Sequence, residues 1–220
     1  MIIHLLIDYY KLSSSNFNRQ QELDTCFYDN INNKHFHKIH VFSDDDLPFT
    51  NNKIIHNIPN KRLTYKDYFN YAKNYIPEGD IVVLSNSDIY FDDTISKTEN
   101  IDLTSTIIAL TRWCPDHGHR IINNQIEIYP NHDRSQDVWV WKNILKNYED
   151  KDCNFTLGKL GCDNKIAYVF KEMGYKIINP SLEIISYHLH KEDTDRTYEK
   201  VWLPGPYLFV PVEINSIINE

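Results

Sequence analysis

The chain has 220 residues, a formal net charge of -8 and no block rich in lysine and arginine. That length suits one domain with a substantial core, and the acidic balance argues against duplex nucleic acid as a main partner, because binding a phosphate backbone needs a basic surface. The four cysteines, Cys26, Cys114, Cys153 and Cys162, show no CxxC spacing, which argues against a zinc knuckle or a redox pair.

Apolar and amphipathic segments alternate from the start, the pattern of a mixed α/β domain. A first strand is expected over residues 2–7. Asp8 ends that run before it could form a signal-peptide core or cross a bilayer, and nothing later is long and apolar enough for a membrane helix. The expectation is a soluble, cytoplasmic protein. A helix is predicted over 19–28, strands over 38–42 and 53–56, and a second helix after Thr64, a good N-cap followed by Tyr65, Tyr68, Phe69 and Ala72 at helical spacing. A buried strand over 81–84 and another over 106–111 follow. Asn123-Asn124, flanked by 120–122 and 125–128, reads as a hairpin turn. Residues 137–141 alternate as a strand whose Trp139 and Trp141 are core candidates. A helix over 163–173 stops at Gly174, short strands are expected at 177–178 and 183–187, and the segment from Trp202 to Tyr207 reads as an irregular tail over the surface. With no repeat or linker, one domain is expected over 1–220.

The most informative stretch is the run Ile81-Val82-Val83-Leu84, which stops at Ser85-Asn86-Ser87-Asp88. A buried strand would deliver Asp88 to the carboxyl edge of a sheet, where ligands of open α/β sheets bind. A hard cation carrying substrate phosphates needs only one or two such carboxylates. His188 and His190, two apart, share one face of a strand and are candidate metal ligands. Arg62 precedes a helix N-terminus, where free N–H groups favour phosphate. Asp163 opens a helix, where Asp is a favoured cap.

Asn86-Ser87-Asp88 resembles the DxD motif of GT-A glycosyltransferases, with Asn in the first acidic slot. The order of several blocks extends the likeness to the small sugar transferases of large DNA viruses. These blocks are Asp8-Tyr9-Tyr10, the helix entry from Arg62 to Tyr68, Thr111-Arg112-Trp113, Ser135-Gln136-Asp137-Val138-Trp139, the segment from Leu157 to Asn164, and Ser186-Tyr187-His188-Leu189-His190. The resemblance implies a single GT-A-like α/β domain over 1–220, a mixed sheet flanked by helices, with a Rossmann-like nucleotide-binding half at about 1–92 and an acceptor and catalytic half with the C-terminal tail at about 104–220. It implies Mn²⁺ or Mg²⁺ held by Asp88 with His188 or His190. A nucleoside diphosphate sugar, UDP-linked, would lie along Ile7, Asp8, Tyr9, Arg62, Tyr65, Asn86, Ser87 and Asp88. Arg112, Trp113, Gln136 and Asp137 would meet donor or acceptor sugar, and Asp163, with Asp137 as rival, would be the base of an inverting transfer of a hexose or deoxyhexose to a glycan or glycoprotein hydroxyl. For a viral chain the compartment would be the host cytoplasm. Two alternatives stay open: a nucleotidyltransferase, against which the lack of a Gly-rich phosphate loop speaks, and a catalytically silent nucleotide- or carbohydrate-binding module, which Asn86 keeps in play.

Overall fold

The computed structural model describes residues 1–114, 132–190 and 201–213, and the backbone of residues 121, 122, 125 and 126. In chain order its elements are β1 (Ile3–Asp8), α1 (Phe17–Asn32), β2 (Phe36–Phe42), β3 (Ile54–Asn57), α2 (Tyr65–Tyr75), β4 (Ile81–Ser85), β5 (Ile89–Phe91), β6 (Thr106–Thr111), β7 (Ile121–Ile122), β8 (Gln125–Ile126), β9 (Gln136–Lys142), α3 (Cys162–Glu172), β10 (Lys176–Ile178) and β11 (Ser186–His188).

Strand alternation builds the architecture. Leu6, Val82, Leu84, Trp139 and Trp141 point to one face, where they meet Phe69 of α2 and Ile166 and Phe170 of α3. Leu5, Ile7, Val83, Val138 and Val140 point to the other, against Phe27 and Ile31 of α1. Because both faces are covered, the strands read as apolar runs. They form a seven-stranded sheet in the order β10-β6-β9-β4-β1-β2-β3. β9 runs antiparallel to both its neighbours, and the other pairs are parallel. This is a mixed α/β domain with a central sheet flanked by helices. Since Ile7 pairs with Ser85, Ser85 with Val138 and Thr111 with Gln136, the ends of β1, β4 and β6 and the start of β9 share one edge.

β5 has no counterpart in the sequence reading, and three expected elements have other bounds. α1 runs to Asn32 because polar residues that read as loop are buried pins: the side-chain amides of Asn30 and Asn33 donate to the carbonyls of Ile89 (2.8 Å) and Phe91 (3.0 Å). α3 begins at Cys162 after Gly161, whose φ of 80° is left-handed, so Asp163 lies inside the first turn and is not the cap. β11 starts at Ser186 because the Glu183 and Ile184 N–H groups turn back to the Pro180 carbonyl. β7 pairs antiparallel with β8, as a hairpin requires, whereas Asn123 and Asn124 lie outside the described residues. The tail is irregular and pinned: Gln136 and Asn179 both donate to the Val210 carbonyl, at 3.3 and 3.0 Å. Among the described residues no helix is long and apolar enough to cross a membrane.

At the opposite edge of the sheet, His4 of β1 and His40 of β2 share a hydrogen bond of 3.0 Å, continued to Asp80 (3.3 Å) and to the Tyr71 hydroxyl (2.9 Å). Burial lowers both histidines, His40 to about 4, with its partner's charge adding to the effect there; Asp80 opposes the shift in His4. A depressed folded-state pKa means that the contribution is intact above the unfolded value near 6.5 and is lost as pH falls through about 4. Thermal melts are therefore expected to fall steeply between pH 6.5 and 4, and His40→Phe is expected to flatten that slope. An unchanged slope in the variant would assign acid sensitivity elsewhere.

Candidate active site

The edge gathers two clusters. The first depends on a small ribbon outside the main sheet, in which β5 pairs antiparallel with β11. His188 stands opposite Ile89, and the Leu189 N–H donates to the Asp88 carbonyl at 3.1 Å. This pairing brings His188 Nε2 to 3.0 Å from Asp88 Oδ2 across 100 residues of sequence. Two-residue periodicity puts His190 on the same face, its ring stacked on that of His188 at 5.4 Å and 7°. Both rings are buried.

Asp88 also accepts a hydrogen bond from Arg19 Nη2. The other guanidinium nitrogen, Nη1, donates to Glu22 (2.7 Å) and to the Leu189 carbonyl (2.8 Å). Burial opposes charge on Asp88, but the His188 hydrogen bond and the two neighbouring cationic groups outweigh it and hold the carboxyl well below its usual range. For His188 burial likewise opposes charge, and the Asp88 bond, with the Cys114 thiol 3.6 Å from Nδ1, raises it to about 9.

The second cluster lies one strand over. Asp137, at the start of β9, accepts from Asn86 Nδ2 (2.8 Å) and from Arg112 Nη1 (3.2 and 3.3 Å). The Asn86 N–H also donates to the Asp137 carbonyl at 3.1 Å. The residue in the first acidic slot is thus spent on orienting Asp137. Asp163, in the first turn of α3, meets the Cys162 thiol at 3.2 Å. Burial first, and the Asp137 charge second, raise its pKa to about 8. Two carboxyl groups on one edge thereby occupy different environments, one fixed by a guanidinium and an amide, the other poised near neutrality, which is how acid–base roles are separated.

The remaining candidates belong to neither cluster. Asp8 closes β1 and accepts from the Tyr68 hydroxyl at 2.5 Å; burial raises its pKa against that bond and the Arg62 charge. Ser87 is partly exposed in the turn beside Asp88. The Ile7 side chain is core. Tyr9 is buried against Phe27, its hydroxyl donating to Asp24 at 2.8 Å, so the exposed aromatic at this strand end is Tyr10. The Tyr65 ring packs against Phe155 in the core. Trp113 is buried, with its indole N–H on the Ser181 carbonyl (2.8 Å), and offers no open face for a sugar. Gln136 is fully buried and holds His132 and the tail. Arg62 is exposed and donates to the Leu157 carbonyl at 2.6 Å, and the helix end behind it carries no free anion site. Thr64 and Asp67 form a reciprocal capping box there, and the Tyr65 and Lys66 N–H groups donate to the Phe155 and Cys153 carbonyls. The side chain that sequence reasoning missed is Arg19, for no local pattern ties it to a carboxylate 69 residues away.

Asp88, His188 and His190 each offer a ligand atom, all within 4.8 Å of one another. The donor set, two imidazoles beside one carboxylate, fits one divalent cation.

No protein-family model matches the chain, and no curated protein matches it in sequence. Among solved structures it is similar to a 4-diphosphocytidyl-2C-methyl-D-erythritol synthase from Anaerococcus prevotii, at 13% identity over 81% of this chain and 86% of that one (TM-score 0.47). It is similar to the inositol-1-phosphate CTP transferase of T. maritima at 11% identity over 86% and 89% (TM-score 0.45). It is also similar to the glycosyltransferase GlyE of Streptococcus pneumoniae at 11% identity over 92% of this chain and 57% of that one (TM-score 0.46).

Proposed function

We propose that this chain is a metal-dependent glycosyltransferase that moves a hexose or deoxyhexose from a nucleoside diphosphate sugar, UDP-linked, to a glycan hydroxyl with inversion. The observation that supports this most is the ligand set Asp88, His188 and His190 standing on the same sheet edge as the unequal carboxyl pair Asp137 and Asp163. Mn²⁺ bound there would supply positive charge to the leaving diphosphate. Asp163 takes the proton of the acceptor hydroxyl, a task for which a carboxylate of raised pKa is the better base. Asp137, its carboxylate held in one orientation by Arg112 and Asn86, is placed to accept hydrogen bonds from donor-sugar hydroxyls. Asp8 ends the neighbouring strand and would receive ribose hydroxyls.

The test is a thermal-shift panel of nucleotide sugars with and without Mn²⁺, followed by assay of nucleoside diphosphate release. One donor class is expected to stabilise the fold only with metal present, by roughly 2.7 kcal/mol at a hundredfold excess over its Kd. Stabilisation by nucleoside triphosphates with pyrophosphate release would instead mark a nucleotidyltransferase. Donor binding without turnover over a broad acceptor panel would mark a binding module.

A further inference from the structure

We propose that Arg19 is a built-in competitor for the cation, so that metal and diphosphate enter the site together and each binds weakly without the other. The inference rests on the metal-ligand reading of Asp88, His188 and His190. Arg19 Nη2 and His188 Nε2 both donate to the same oxygen, Asp88 Oδ2. A divalent ion coordinated to that carboxylate would stand directly against the guanidinium, two like charges in a largely buried site, where Coulomb repulsion is far stronger than in water. Nη2 therefore has to leave the carboxylate for the ion to bind.

The guanidinium is built to leave without being lost. Nη1 keeps its own bonds to Glu22 and to the Leu189 carbonyl, neither of which involves Asp88, so the group can turn about that anchor. What it needs on release is another strong acceptor, and a phosphate oxygen is the best match to its planar fork. A diphosphate that draws Nη2 away uncovers Asp88 for the ion, and an ion on Asp88 drives Nη2 toward the diphosphate. By linkage the two effects are the same size. Sequence-separated groups on α1, the β4–β5 turn and β11 thus form one exchange device, in which a protein cation holds the metal's place until an anionic donor arrives.

The experiment is isothermal titration of Mn²⁺ into the full chain, alone and in saturating UDP, for the unmodified protein, Arg19→Gln and Arg19→Lys, each first shown to be folded by its melting curve. In the unmodified protein UDP is expected to tighten Mn²⁺ binding. Arg19→Gln is expected to bind Mn²⁺ alone at least about tenfold more tightly, the scale on which removing a close charge is felt, and to lose most of the UDP effect. Arg19→Lys keeps the charge on a stem that cannot span Glu22, Leu189 and Asp88 together, and an intermediate gain is expected; this variant carries the test if the glutamine variant does not fold. Unchanged or weaker Mn²⁺ binding in the folded variants, with normal binding in the unmodified protein, would overturn the proposal and leave the ligand set standing. No Mn²⁺ binding in any of the three, with or without UDP, would overturn the ligand set and the proposal with it.

Discussion

Asp163→Asn is expected to keep donor and Mn²⁺ affinity while turnover falls by roughly 10²- to 10⁴-fold, the loss typical of removing a general base. The amide is nearly isosteric, and α3 does not depend on Asp163 as a cap because Gly161 occupies that position. The same substitution carries a second, independent signature. A carboxyl raised to about 8 in the folded chain favours its protonated form, so its contribution to stability is intact below the unfolded value near 4 and is lost as pH rises through about 8. Removing the ionisable group removes that loss. The variant is expected to melt higher than the unmodified protein at pH 8 and alike at pH 4, a gain in stability coupled to a loss of catalysis. Asp137→Asn is the control: it places an amide against the Asn86 amide and forfeits the Arg112 charge pair, so weaker donor binding is expected there. Full turnover in Asp163→Asn would move the base elsewhere.

Much of the fold was legible because burial on both faces leaves a plain trace in the chain. Residues 81–84 and 106–111 read plainly as covered strands, and Thr64 announces the start of α2. The ends were less legible. Asn30 and Asn33 look like loop residues until β5 supplies carbonyls for them, and those carbonyls lie 59 and 58 residues away, respectively. For the site, patterns of two residues placed Asp88 at an edge and His188 with His190 on one face, but only the β5–β11 pairing puts these on each other. The aromatic and polar types depend on tertiary contacts in the same way. The Tyr9 hydroxyl, the Trp113 indole N–H and the Gln136 amide N–H each find an acceptor within the protein. Arg62 sits before a helix as expected, yet Asp67, which the sequence reading did not weigh, fills the anion position there. Arg19 was invisible because its partner is set by tertiary packing alone.

Asp88→Asn is expected to weaken Mn²⁺ binding at least about 100-fold, since even the indirect partners of metal ligands are worth 10- to 100-fold. Asparagine keeps an oxygen to accept from Arg19, so the fold is expected to persist where alanine would leave the guanidinium without its central partner. The pH dependence distinguishes loss of a ligand from general damage. An imidazole binds metal only when neutral, and metal binding therefore expels the proton that Asp88 holds on His188. With His188 raised to about 9 by that carboxylate, Mn²⁺ affinity in the unmodified protein is expected to climb steadily from pH 6 toward 9. In Asp88→Asn the charge that opposes burial is gone, so His188 is expected to release its proton at lower pH and the residual weak affinity to level off earlier. Calorimetry of both proteins across this range reads the two effects separately. A variant whose affinity is reduced but climbs along the same curve would mean that the Asp88 carboxylate does not set the charge of His188. Affinity unchanged at every pH would remove Asp88 from the metal site.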